Sequence, residues 1–90
     1  MATLRDKLTK LFAELPDGDA HLEDLPNGHV SGLVVSSAFA GEDFEQRRKR
    51  IRQALDGALA AGRLNNQEIL SVSTILCFTP TEWAESLSEA

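Results

Sequence analysis

His21 and His29 are the only imidazoles in the chain, and they flank a turn at Pro26-Asn27-Gly28. Across an antiparallel strand pair, rings at those positions can approach each other and offer two nitrogen ligands to a metal. Two donors do not complete a site, so a metal held there needs further ligands from another protein. Cys77, the single cysteine, sits in an apolar run beside Phe78 with no histidine near it in sequence. A thiol so placed acts as a small hydrophobe, because a nucleophile wants a neighbouring base. Ser36, Ser37, Ser71 and Ser73 lie outside any Gly-x-Ser-x-Gly elbow, and the acids are scattered along polar positions. With neither a triad nor a carboxylate pair, no enzyme is expected.

Cations are the other chemistry on offer. Six of the nine Lys and Arg residues fall between Arg47 and Arg63. Arg47, Lys49, Arg50 and Arg52 at the start of a helix can contact phosphates, which makes nucleic acid one candidate partner. A solvated helix face beside acidic neighbours is the alternative: no aromatic residue interleaves the cluster to stack on bases, and a Gly-x-x-Gly loop is absent. The net charge of -5 opposes broad attraction to phosphate or anionic lipid.

These residues must be positioned by a small number of elements. The 90 residues, 42% of them hydrophobic, suit one domain spanning 1–90 with one core. Leu4, Leu8, Leu11, Phe12 and Leu15 recur at helical spacing, with Thr3 and Asp6 to start the helix and Pro16-Asp17-Gly18 to stop it. His21 to Leu25 predicts an acidic edge strand, Asn27-Gly28 a reversal, and Val30 to Ser37 a buried central strand. A long helix is expected from Glu42 to Ala61, with Phe44, Ile51 and Leu55 inward, Arg48 along the inward stripe, and exposed Glu45–Lys49 and Arg52–Asp56 pairs. Alternation from Ile69 to Phe78 predicts the third strand, placing Val72, Thr74 and Leu76 on one face and Ile75 and Cys77 on the other. Thr79-Pro80-Thr81-Glu82 opens a last helix by a capping box, with Trp83 and Leu87 turned to the core. The expected fold is α+β, an αββαβα two-layer sandwich with a three-stranded mixed sheet and helices packed on one face.

Val34-Val35-Ser36-Ser37-Ala38-Phe39-Ala40-Gly41, followed after five residues by Arg47-Arg48-Lys49, and then Thr79-Pro80-Thr81-Glu82-Trp83, resemble the fingerprints of the BolA family. Members show V-V-S-x-x-F-x-G, an R-H-R-like triplet at this distance, and T-P-x-E-W after the last strand. Gly28-His29 also fits the family spacing, so the resemblance covers most of the chain from Gly28 to Trp83. It implies a class II KH-like domain that binds monothiol glutaredoxins, shares a [2Fe-2S] cluster with them and, in some members, binds DNA. Two positions depart from the pattern. Ser71 stands where the family carries its near-invariant cluster-ligating histidine, and Arg48 replaces the middle histidine of the triplet. A hydroxyl is a poor iron ligand beside imidazole, which leaves His29 as the one matching metal ligand, in a shared site only.

The expectation is therefore a non-enzymatic BolA-like binding and regulatory module without a cofactor of its own. Its partner surface would comprise His29, Arg47, Arg48, Lys49 and Ser71. The alternative is a nucleic-acid-binding domain using Arg47, Lys49, Arg50 and Arg52, and a third reading is an accessory domain that pairs through an open sheet edge. One cysteine gives no intramolecular disulfide, Met1 to Leu15 lacks the apolar core of a signal peptide, and no run nears the ~20 apolar residues of a membrane span. A cytoplasmic protein is expected.

Overall fold

The first helix, α1 (Leu4–Ala13), begins at a reciprocal cap in which the Asp6 N–H donates to Thr3 Oγ1 and the Thr3 N–H to the Asp6 carboxylate. The computed structural model to which it belongs describes residues 3–88. Leu8, Leu11 and Phe12 of α1 are buried, as their spacing predicts, and the helix ends at its C-cap Glu14, before a turn that contains Asp17, whose φ is 52°. Strands β1 (Asp19–Asp24) and β2 (Val30–Val35) follow as an antiparallel hairpin, closed where the Leu25 N–H donates to the His29 carbonyl at 2.7 Å. A 3-10 turn (Ser37–Phe39) then leads to α2 (Phe44–Ala60). Helix α3 (Asn66–Leu70), strand β3 (Val72–Phe78) and helix α4 (Pro80–Ser88) complete the order.

The sheet is β1-β2-β3, mixed, with β3 parallel to the central β2. The α+β class and the three-stranded mixed sheet are those expected, with α3 added to the αββαβα order and Trp83 of α4 on the face opposite α1 and α2. Its core gathers Leu8, Leu11 and Phe12 of α1, Val30 and Val34 of β2, Phe39, and Ile51, Leu55 and Ala58 of α2. These side chains come from a helical stripe and a strand face that would otherwise expose them, each worth about 1.5–3 kcal/mol on burial. Among the described residues no helix is long and apolar enough to cross a membrane.

Four local expectations are corrected. The stretch Ile69 to Ser71 is not strand: Asn65 and Glu68 form a capping box, with Glu68 N–H to Asn65 Oδ1 at 2.8 Å and Asn65 N–H to Glu68 Oε1 at 3.0 Å, and this starts α3 instead. Strict alternation also fails in β3. Val30 pairs with Val72 but Gly32 with Ile75, so β3 carries one extra residue, a bulge that brings Val72 and Ile75 onto the same core face. Phe44 is 64% exposed because it opens the first turn of α2, beyond the part of the helix that meets the sheet. Finally, Leu87 is 58% exposed, and the Trp83 ring lies 5.2 Å from that of His21 and 5.9 Å from that of Phe78. His21 alternates with the core-facing Ala20 and Leu22, and Phe78 with Cys77, so Trp83 covers the sheet face opposite α1 and α2.

Candidate functional site

Both fingerprints serve the fold first. Ser36 is fully buried with its hydroxyl donating to the Pro16 carbonyl at 2.7 Å and accepting from the Ala38 N–H at 3.1 Å, so it ties the end of α1 to the 3-10 turn. Thr79 and Glu82 make the expected capping box of α4. The two motifs then join through Arg47, whose guanidinium donates to Glu82 Oε1 at 2.7 Å, Glu82 Oε2 at 3.2 Å, the Cys77 carbonyl at 3.1 Å and the Glu42 carbonyl at 3.0 Å. A planar fork suits this role, since it meets a carboxylate two-fold and still reaches two carbonyls. Arg47 thus locks the start of α2, the end of β3 and the start of α4 together, with four of its five N–H donors engaged inside the molecule. That is a correction to the expectation that Arg47 faces a partner or a phosphate.

The Arg47 guanidinium, helped by the Thr79 N–H, holds the Glu82 carboxyl down at about 2. A depressed carboxyl contributes stability that is complete above its ordinary value of 4.5 and is lost as pH falls through about 2. Trp83 is the only tryptophan and sits next to Glu82 in α4, so its fluorescence reports the docking of this helix. Between pH 4.5 and 2 the Trp83 signal should move toward that of exposed indole. In Glu82→Gln the same acid step should shrink; an unchanged step would remove Glu82 as its origin.

The remaining cations divide in two. Arg50 Nε donates to Glu42 Oε1 at 2.6 Å and Arg63 meets Glu14 at 2.7 Å. Arg52 reaches Asp56 only at 3.9 Å with both side chains exposed, and the expected Glu45–Lys49 pair is not among the ion pairs of the described residues. Arg48 is exposed and lies 5.6 Å over the Phe44 ring. Of the four cations expected to meet nucleic acid, Arg47 and Arg50 are therefore held by short pairs, Arg52 by the longer i,i+4 pair with Asp56 that its spacing predicts, and Lys49 is exposed.

Arg48 and Arg52 line a groove of about 610 Å³ between α2 and β3. Phe44 supplies one end, Leu70 the other, and Thr74 and Leu76 the strand side. Phe44, Leu70 and Leu76 are three of the four exposed large hydrophobics, at 64%, 79% and 45%. Their gathering on one groove makes it the candidate site, because scattered exposed apolar residues need no explanation and clustered ones do. A smaller cavity of about 280 Å³ between α1 and the end of α2 has two of its cations already engaged, Lys7 by Glu68 at 2.6 Å and Arg63 by Glu14. Alternation assigns Leu70 and Leu76 to one face of the third strand and gives neither a role in a site. The signal that would have exposed Leu70 is the Asn65-x-x-Glu68 capping box.

The histidines do not meet. His21 pairs with Leu33 and packs on Trp83, with Nε2 3.1 Å from Asp19 Oδ2, whereas His29 lies beyond the start of β2. His29 instead neighbours Ser71, because the Val30 N–H donates to the Ser71 carbonyl at 3.0 Å. Ser71 caps the end of α3, its hydroxyl donating to the Gln67 carbonyl at 3.0 Å. His29 and Ser71 stand together at the Val72 end of β3, and Arg47 at the Phe78 end, roughly 17 Å away at 3.3 Å per residue. The donor set does not fit a cluster held by this chain. His29 contributes one imidazole, Ser71 a committed hydroxyl, and burial pushes the Cys77 thiol above its usual value at a point well along β3 from both.

Comparison with protein-family models, with curated proteins and with solved structures finds no match to this chain.

Proposed function

We propose that the chain is a non-enzymatic binding and regulatory module of BolA-like, class II KH-like type, acting in the cytoplasm through protein contacts. The observation that carries this reading is the α2–β3 groove, where exposed apolar side chains and two exposed arginines lie beside an edge strand. The α+β class with a three-stranded mixed sheet is compatible with this reading, with α3 added to the expected αββαβα order. A non-catalytic role is supported by what happens to the nucleophile candidates: Ser36 is buried and doubly bonded, Ser71 is bonded to its own helix, and the Cys77 thiol is disfavoured as thiolate by burial.

A monothiol glutaredoxin is the partner the resemblance names, and on this donor set its recognition rests on the groove without a shared [2Fe-2S] ligand set. Nucleic acid is the weaker reading, since Arg47 and Arg50 are engaged in short ion pairs, Arg52 in a longer one with Asp56, and the chain carries a net charge of -5. Titrating isotopically labelled protein with a cluster-loaded monothiol glutaredoxin should shift amides of Phe44–Arg52 and Leu70–Leu76 while leaving the visible absorption of the cluster unchanged. Unshifted amides at high concentration would remove glutaredoxin as the partner.

A further inference from the structure

We propose that the groove between α2 and β3 takes an extended acidic segment of a partner protein, which adds to β3 as a further strand and sets its carboxylates against Arg48 and Arg52. This rests on the reading of the chain as a protein-binding module and names the chemistry of what it binds. Strand β3 is an edge of the sheet, paired on one side only, by β2. Phe78 turns its backbone toward β2, where its carbonyl accepts from the Ser36 N–H at 2.9 Å, so Cys77 turns the other way and gives its carbonyl to Arg47. Ile75, two residues earlier, presents its N–H and C=O to the same outer side. Arg47 therefore closes the outer edge at Cys77, while the edge before it, at Ser73 to Ile75, lies along the groove.

Charge selects the occupant. Among the described residues no Asp or Glu lines the groove, the nearest carboxylate to its arginines being the exposed Asp56 at 3.9 Å from Arg52, although the chain as a whole has 14 acids against nine bases. Arg48 and Arg52 are one helical turn apart on α2, both exposed, and Phe44 and Leu76 stand beside them. A strand with alternating carboxylates and small aliphatic residues meets all three features: main-chain bonds to β3, apolar contact with Phe44 and Leu76, and pairing with the two guanidinium groups. The opposite edge, β1, cannot serve the same segment, because Asp19, Glu23 and Asp24 would repel it.

The probe is a short fluorescein-labelled peptide of alternating valine and aspartate, with valine–asparagine and valine–lysine versions as comparators. Saturable binding is expected for the aspartate peptide, with amide shifts at Ser73, Thr74 and Ile75. Affinity should fall about tenfold in the Arg48→Glu, Arg52→Glu double variant, whose exposed positions leave the fold intact by circular dichroism. N-methylating alternate peptide bonds of the probe should abolish binding if it docks as a strand. The assignment is overturned by no binding, by equal binding of the lysine peptide, by shifts confined to another face, or by a bound peptide that is helical. If glutaredoxin shifts the groove and the acidic peptide does not bind, the acidic strand is wrong and the binding module stands. Peptide binding without a glutaredoxin response would support the strand and overturn glutaredoxin.

Discussion

Gly32→Ala should destabilise the protein by about 2–6 kcal/mol, combining roughly 1–3 kcal/mol of backbone strain with a similar cost of overpacking. Gly32 lies in the central strand with φ at +148°, a conformation that side chains resist. Its partner across the hairpin is Leu22, and a Cβ built there would come 2.2 Å from the His21 carbonyl oxygen and 2.8 Å from the Leu22 Cα. Both are backbone atoms of β1, so no side-chain rotation relieves the clash. The same residue marks the register shift against β3, where Val30 meets Val72 and Gly32 meets Ile75. A displaced β2 would therefore disturb both neighbours at once. For 90 residues the whole stability is of order 5–13 kcal/mol. Urea denaturation followed by Trp83 fluorescence and circular dichroism gives the difference directly; a loss under about 1 kcal/mol would show that β1 yields without strain.

Phe39→Ala is the second large effect, with a loss of about 3–5 kcal/mol. The ring is fully buried in the main core, at the 3-10 turn that joins β2 to α2, and its far side faces the Arg47 guanidinium at 6.0 Å. Removing it leaves a cavity under the residue that ties α2, β3 and α4 together, so α4 should loosen as well as the core. Phe44, five residues on, is the internal control. At 64% exposure its replacement by alanine should cost about 0.5 kcal/mol or less, while it should weaken groove binding. Equal stability losses for the two variants would contradict the placement of Phe44 outside the core. Phe44→Ala also separates recognition from folding in a way Phe39→Ala cannot.

Local chemistry was legible in the residues themselves. The Thr3–Asp6 and Thr79–Glu82 boxes, the Asn27-Gly28 reversal and the glycine after α2 are each decided by hydrogen bonds or dihedral preferences within a few residues, and each appears where its pattern predicts. Apolar periods of 3.6 and 2 then set the element order and the α+β class, since each stripe needs one partner layer. Asn65-x-x-Glu68 is equally local, yet the alternation running from Ile69 masks it, so that the pattern assigns Ile69 and Leu70 of α3 to the strand.

Other features depended on what meets across the chain. The extra residue in β3 follows from its register with β2, which no pattern within β3 encodes. Arg47 and Glu82 are 35 residues apart, so sequence offers a cation in a basic run and an acid in a cap, and the fold alone turns them into one bidentate lock. The same holds for the candidate site: Phe44, Leu70 and Leu76 each fit a buried stripe on paper, and they line an open groove because the first turn of α2 runs past the buried stripe and, among the described residues, no strand pairs with the outer side of β3, which Arg47 meets only at Cys77. Sequence determined which segments become helix or strand through short-range bonding, whereas tertiary packing decided which charged and apolar groups remain available to another molecule.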